Sequence, residues 1–123
     1  MAEDSFDLDA AGLRADSGDL VAYIEVLARK LELSLPAHCV VERRSKRMLS
    51  REKVVDSIRV DLGEHRYEVL ADGRASRAKV VRDITIKTEP LELDEWVRAL
   101  GNDLSARAAD SAEARAALER LVG

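Results

Sequence analysis

The sequence is poor in cysteine, proline and aromatic residues: it has one cysteine, two prolines and four aromatic side chains. A single cysteine can form no intrachain disulfide, which excludes a disulfide-stapled secreted domain and favours a reducing cytoplasm. No apolar run approaches the roughly 18 residues needed to cross a bilayer. The first residues are acidic, the opposite of a signal peptide. We therefore expect a soluble cytoplasmic domain with a core of Leu, Val, Ile and Ala.

The usual signatures of catalysis and of metal or cofactor binding are also missing. The soft metal ligands are His38, Cys39 and His65, and they lie in no Cys-x-x-Cys or His-x-x-x-His spacing. His38 and Cys39 are neighbours on a predicted strand, so their side chains point to opposite faces and cannot form a catalytic dyad. Gly63 and Gly73 belong to predicted turns rather than to a phosphate-binding loop. We predict no catalytic, cofactor-binding or metal-binding residues, and hence no enzyme.

Charge is abundant but unevenly distributed along the 123 residues. Charged residues make up 36% of the chain, and the net charge is −4. Residues 1–20 carry a net −5, residues 40–87 a net +5 and residues 88–123 a net −4. We interpret residues 1–16 as an acidic flexible tail and residues 17–123 as a single domain. The basic middle is the first indication of a contact surface.

Three helices are predicted from the spacing of apolar residues and from capping residues. The first covers about 18–34, where five apolar residues follow one helical face, and Pro36 closes it. The second covers about 94–109, with acidic residues in its first turn. The third covers about 112–122, is rich in alanine and follows a possible cap at Asp110-Ser111. It either folds back beside the first helix or packs on another chain.

Between the helices the pattern predicts four strands. A turn at Gly63-Glu64, with glycine first, sets Val60 opposite Tyr67 and Arg59 opposite Glu68. A second turn at Asp72-Gly73 sets Glu68 opposite Arg77, after which one long strand with a bulge near Val81-Arg82 runs until Glu89-Pro90 ends the sheet. We predict the α+β class: one antiparallel four-stranded meander with the helices on one face, in the order α-β-β-β-β-α-α.

Two sets of residues are candidate contact sites. Cations crowd around the first hairpin, and three apolar residues mark one face of the last helix. The long, Ile/Val-rich fourth strand is the edge of the sheet that we expect a second chain to cover. The basic set is Arg43, Arg44, Lys46, Arg47, Arg51 and Lys53, and the apolar set is Leu118, Leu121 and Val122.

These sites favour a non-enzymatic protein-interaction module, either self-associating as a homodimer or acting as an adaptor or chaperone for another cytoplasmic protein. The alternative is a nucleic-acid-binding module that uses the basic hairpin, because clustered cations bind phosphates by counterion release. The sheet offers only Tyr67 for base stacking, and the whole chain is acidic. No small-molecule substrate is indicated.

Five short segments carry a resemblance to known proteins: the Leu35-Pro36 turn, Val41-Glu42-Arg43-Arg44, the Leu62-Gly63 hairpin ending at Tyr67, Val80-Val81-Arg82-Asp83-Ile84 and Leu93-Asp94-Glu95-Trp96. Together they resemble a family of small uncharacterised proteins from high-GC Gram-positive bacteria. The resemblance covers about residues 18–122 and implies no activity and no functional residues. The order of elements is also similar to that of the YbaB-type nucleoid-associated family, whose members are dimers of a helix, a short antiparallel sheet and a helix.

Overall fold

The computed structural model describes residues 17–46, 51–108 and 111–122. The predicted tail (residues 1–16) and Arg47 lie outside these ranges. The chain forms an α+β fold in which one antiparallel sheet carries helices on one face. The elements are α1 (Ser17–Ser34), β1 (Cys39–Ser45), β2 (Lys53–Asp61), β3 (His65–Leu70), β4 (Ala75–Val81), β5 (Ile84–Leu91), α2 (Leu93–Arg107) and α3 (Ala112–Val122).

The apolar faces of the helices and of the sheet meet in one core. The stripe of α1 is buried at Leu20, Ile24, Leu27 and Leu31, as its spacing predicts. Trp96 of α2 is fully buried in the same core. α3 packs against both other helices, which settles its position beside α1. No helix in the described parts of the chain is long and apolar enough to span a membrane.

The β2–β3 hairpin has the register that its sequence predicts. Val60 pairs with Tyr67 and Arg59 with Glu68, so apolar pairs occupy one face and an opposite-charge pair the other. Gly63 has a φ of +90°, and Leu62 donates its backbone N–H to the carbonyl of His65. The positive φ at the first turn position is the reason for glycine there.

The β3–β4 register differs by one residue from the prediction. Tyr67 pairs with Arg77, and Glu68 pairs with Ser76 rather than with Arg77. The loop is longer by one residue than the predicted Asp72-Gly73 turn, because the N–H of Leu70 donates to the carbonyl of Arg74 and three residues lie between them. The carbonyl of Leu70 accepts from the N–H of Gly73. Glycine in the left-handed region is typical of such three-residue loops. The shift places Arg77 on the same face as Tyr67.

The sheet has five strands, and the prediction of four was wrong at Arg82-Asp83. The predicted long fourth strand is two strands, joined by a two-residue turn where Arg82 has a φ of 52° and Asp83 a φ of 66°. Positive φ at both positions defines a type I′ turn, which prefers Asn-Gly. Because Arg82 and Asp83 are not this preferred pair, the sequence pattern did not predict a turn here. The irregularity lies at Lys79/Val80 rather than at 81–82, and the sheet continues through Pro90 to Leu91.

The turn at Arg82-Asp83 gives a stability prediction. L-residues in the left-handed region cost roughly 1–2 kcal/mol each, partly offset by the extra freedom that glycine brings to the unfolded chain. We expect the double variant Arg82→Asn, Asp83→Gly to raise the free energy of unfolding by about 1 kcal/mol in urea titrations. Gly63→Ala is the opposing control. A Cβ there meets nothing within 4 Å, so its φ alone should cost about 1 kcal/mol. A destabilised double variant would contradict the turn assignment.

Candidate interaction surfaces

The basic hairpin β1–β2 holds three of its five described predicted cations in ion pairs. Arg43 forms two hydrogen bonds with the carboxylate of Glu32 on α1, at 3.0 and 2.7 Å. This fork lowers the pKa of Glu32, and the Glu32 carboxylate raises the pKa of Arg43. The Nε of Arg44 donates to Oδ1 of Asp56 at 3.1 Å. Arg43 therefore links the β1–β2 hairpin to α1.

The remaining predicted cations are less constrained. Lys46 lies 3.5 Å from the carboxylate of Glu52, at the end of the hairpin. Arg51 and Lys53 are exposed and form no ion pair with a described residue. Of the five predicted cations in the described part of the hairpin, two therefore remain for an anionic partner.

The apolar residues of α3 are divided between the core and the surface. Leu118 and Leu121 are partly buried and pack against the core, while Val122 is 80% exposed. Ala114 and Ala117 are buried, and their small side chains allow α3 to approach the other helices closely. Ser111 accepts a hydrogen bond from the N–H of Ala114, so it caps α3 as predicted. Only Val122 of the three predicted contact residues is freely accessible.

The β4–β5 hairpin exposes a cluster of β-branched side chains that we call the apolar hairpin: Val81, Ile84 and Ile86. Ile84 and Ile86 are 64% and 61% exposed, and Val81 is close to half exposed. The helices pack mainly on β1 to β4, which leaves the N-terminal part of β5 beyond the helical layer at the edge of the sheet. Leu91, at the other end of β5, packs against the core. Large apolar residues clustered at an uncovered edge are typical of contact surfaces.

Hydrogen bonding shows which backbone groups of β5 face outward. Val80 donates its N–H to the carbonyl of Glu64, so Val80 faces β3 and its neighbour Lys79 faces β5. Because the pattern alternates in antiparallel sheets, Thr88 and Pro90 face the open edge. Pro90 has no N–H, so it blunts the C-terminal half of this edge. The N-terminal half of β5, which carries Ile84 and Ile86, contains no proline and so keeps its backbone N–H donors.

A polar network lies between the sheet and α2, centred on Asp103. Its side chain is only 15% exposed. The carboxylate accepts hydrogen bonds from the hydroxyl of Tyr67 at 2.9 Å and from Nε of Arg107 at 3.1 Å, and Nδ1 of His65 lies 3.3 Å away. Burial and then Asp103 raise the pKa of Tyr67 to about 12. The network holds β3 to α2 and keeps the Tyr67 hydroxyl protonated.

Reactive groups are few and weakly activated. Burial, and then the charge of Glu32, raise the pKa of the Cys39 thiol to about 11. A neutral thiol is a poor nucleophile and a poor metal ligand. Nε2 of His38 lies 3.7 Å from a carboxylate oxygen of Glu113, at the surface. Across 17–46, 51–108 and 111–122, no three His, Cys, Asp or Glu side chains gather as metal ligands would.

Sequence reasoning missed the strand that carries the apolar hairpin as a separate element. A usable signal was present, because Val80-Val81 and Ile84 flank exactly two polar residues, which is the spacing of a tight hairpin. It also missed the network at Asp103, since α2 and β3 are far apart in sequence. Compared with protein-family models, with curated proteins and with solved structures, the chain matches none of them.

Proposed function

We propose that this chain is a non-enzymatic protein-interaction module that associates with a second copy of itself, or as an adaptor with another cytoplasmic protein, through the apolar hairpin. The observation that carries the proposal is the exposure of Ile84 and Ile86 on an uncovered edge strand. Cytoplasmic residence stays a prediction from the single cysteine.

The energetics favour a partner at this edge. Covering exposed apolar surface contributes roughly 25 cal/mol per Å², so burying the exposed parts of two isoleucines and a valine is worth a few kcal/mol. The N-terminal half of β5 also presents backbone donors and acceptors that a partner strand can pair with. The opposite edge strand, β1, is a poorer template, because charged residues occupy much of it.

The contacts of the basic hairpin support nucleic-acid binding less than its sequence does. Arg43 and Arg44 pair with Glu32 and Asp56, and a paired arginine releases fewer counterions when it meets a phosphate. Of the five predicted cations that the structure describes, Arg51 and Lys53 are the two without an ion pair to a described residue, which weakens the case for tight binding to a duplex.

Light scattering over about 10–200 µM protein tests the self-associating form. We expect the wild type to gain mass with concentration and the double variant Ile84→Lys, Ile86→Lys to remain monomeric, because two buried charges oppose the contact. Both positions are exposed, so the fold should lose less than about 1 kcal/mol of stability.

Val40→Lys is the matched control. Val40 is a half-exposed β-branched residue on β1, at the other edge of the same sheet. This variant should associate like the wild type. Equal weakening in both variants would contradict the assignment to the apolar hairpin, and a monomeric wild type throughout the range would contradict self-association.

A further inference from the structure

Strands β3, β4 and β5 align three basic side chains, which we call the basic row: His65, Lys79 and Lys87. His65 pairs with Lys79, and Lys79 pairs with Lys87. The next row on the same face contains Tyr67, which reaches α2. Since side chains two residues apart share a face, the basic row lies on the helix-facing side of the sheet.

The two lysines of this row have an unfavourable electrostatic position. Like charges directly opposite each other on neighbouring strands destabilise a sheet. Both lysines are exposed, and neither forms an ion pair with a residue in the described ranges. One row further along the same two strands, Arg77 and Glu89 do pair. Glu89 also attracts Lys87, although Arg77 is its main partner. An anion from outside would offset the repulsion that remains.

The network at Asp103 orients the histidine of the row. Nδ1 of His65 faces Oδ2 of Asp103, and the hydroxyl of Tyr67 and Nε of Arg107 fix that carboxylate in place. A carboxylate at one ring nitrogen sets the orientation of an imidazole and leaves the other nitrogen for a ligand. With Nδ1–H directed at Asp103, a neutral His65 presents the lone pair of Nε2 beside the lysines. Nε2 can donate a hydrogen bond to an oxyanion only when the ring is an imidazolium, so the two lysines supply the attraction when the ring is neutral.

The row opens into a cleft of about 280 Å³ lined by His65, Arg77, Lys79, Lys87 and Glu89. Three cations face one carboxylate there, so the lining carries a net charge of +2 when His65 is neutral. A second depression, which includes Glu64 and Arg82, adjoins it at His65 and Lys79. Arg77 is held by Glu89, which leaves the two ammonium groups as the free charges.

We propose that the basic row binds a compact dianionic oxyanion, the chemistry shared by inorganic phosphate and phosphate monoesters. Lysine ammonium groups bind phosphate as point charges, and a dianion matches the two that face each other. The nearby Glu89 carboxylate disfavours larger anions that would extend over it. Lys87 follows Ile86 of the apolar hairpin along β5, but the proposal needs no second chain, because all three side chains of the basic row belong to one copy.

Titration with inorganic phosphate at constant ionic strength and pH 7.5, followed by amide chemical shifts, tests the proposal. We expect saturable shifts around residues 64–66, 78–80 and 86–88, with a dissociation constant in the millimolar range. Lys79→Gln or Lys87→Gln should weaken binding at least threefold, and the double variant at least tenfold. O-phosphoserine in a parallel titration distinguishes a monoester from the free ion by binding more tightly.

Lys53→Gln is the matched control, because Lys53 is an exposed lysine on β2 without an ion pair to a described residue. It should bind phosphate like the wild type. Linear shifts without saturation up to 50 mM would overturn the proposal, and so would equal losses in the Lys53 and Lys87 variants. In either case the two lysines are solvated surface charges without a bound anion.

Discussion

Replacing Trp96 by alanine is expected to lower the free energy of unfolding by about 3–5 kcal/mol. The side chain is fully buried, its Nε1 donates to the carbonyl of Ser76 at 3.2 Å, and its ring meets Tyr67 edge-on at 6.1 Å. Alanine would leave a cavity between α2 and the sheet and a carbonyl without its donor. Since small domains have roughly 5–15 kcal/mol of stability in total, this variant should be close to unfolding at 37 °C.

Urea unfolding followed by far-ultraviolet circular dichroism measures this loss, because the variant has no tryptophan to report by fluorescence. Trp96→Phe keeps much of the ring volume but loses the indole N–H, so it should cost less, about 2 kcal/mol. Leu33→Ala is the surface control, since Leu33 is 72% exposed, and should change stability by no more than about 0.5 kcal/mol. A loss below 1 kcal/mol in Trp96→Ala would contradict the packing of α2 on the sheet.

The parts of the fold that the sequence predicts are those that depend on neighbours in the chain. The register of β2 and β3 follows from one glycine, because the turn at Gly63 fixes which side chains face each other. The helices follow from apolar spacing, and the confirmed cap at Ser111 follows from local hydrogen bonding. Local rules fail at Arg82-Asp83, where the backbone adopts a type I′ turn that Asp tolerates but Arg does not favour.

The contact surfaces are harder to predict, because they depend on distant partners. The basic hairpin is visible as a run of cations, but its neutralisation requires Glu32 to reach Arg43 from a separate helix. The basic row is invisible until the β3–β4 register is known, since a shift of one residue moves Lys79 to the other face. The number of charged residues can be read from the sequence, whereas the ion pairs that neutralise them are known only from the structure.

Removing the carboxylate of Asp103 is the second change with a large expected effect. Asp103→Ala takes the acceptor away from the hydroxyl of Tyr67 and from Nε of Arg107, in a place that is only 15% exposed. A partly buried polar group that loses its partner costs about 1–3 kcal/mol, and more for a charged one. We expect a loss of about 2–3 kcal/mol in urea unfolding, because the Tyr67 hydroxyl keeps a longer bond to the carbonyl of Ala99.

A double-mutant cycle with Tyr67→Phe separates the hydrogen bond from the rest of the network. Tyr67→Phe alone removes only the hydroxyl and should cost about 1 kcal/mol. In the Asp103→Ala background the same change should cost almost nothing, since the hydroxyl has already lost its main partner, which gives a coupling energy of about 1 kcal/mol. Strictly additive losses would contradict the bond between the Tyr67 hydroxyl and Asp103. The same carboxylate faces His65, so the coupling also bears on the proposed phosphate site.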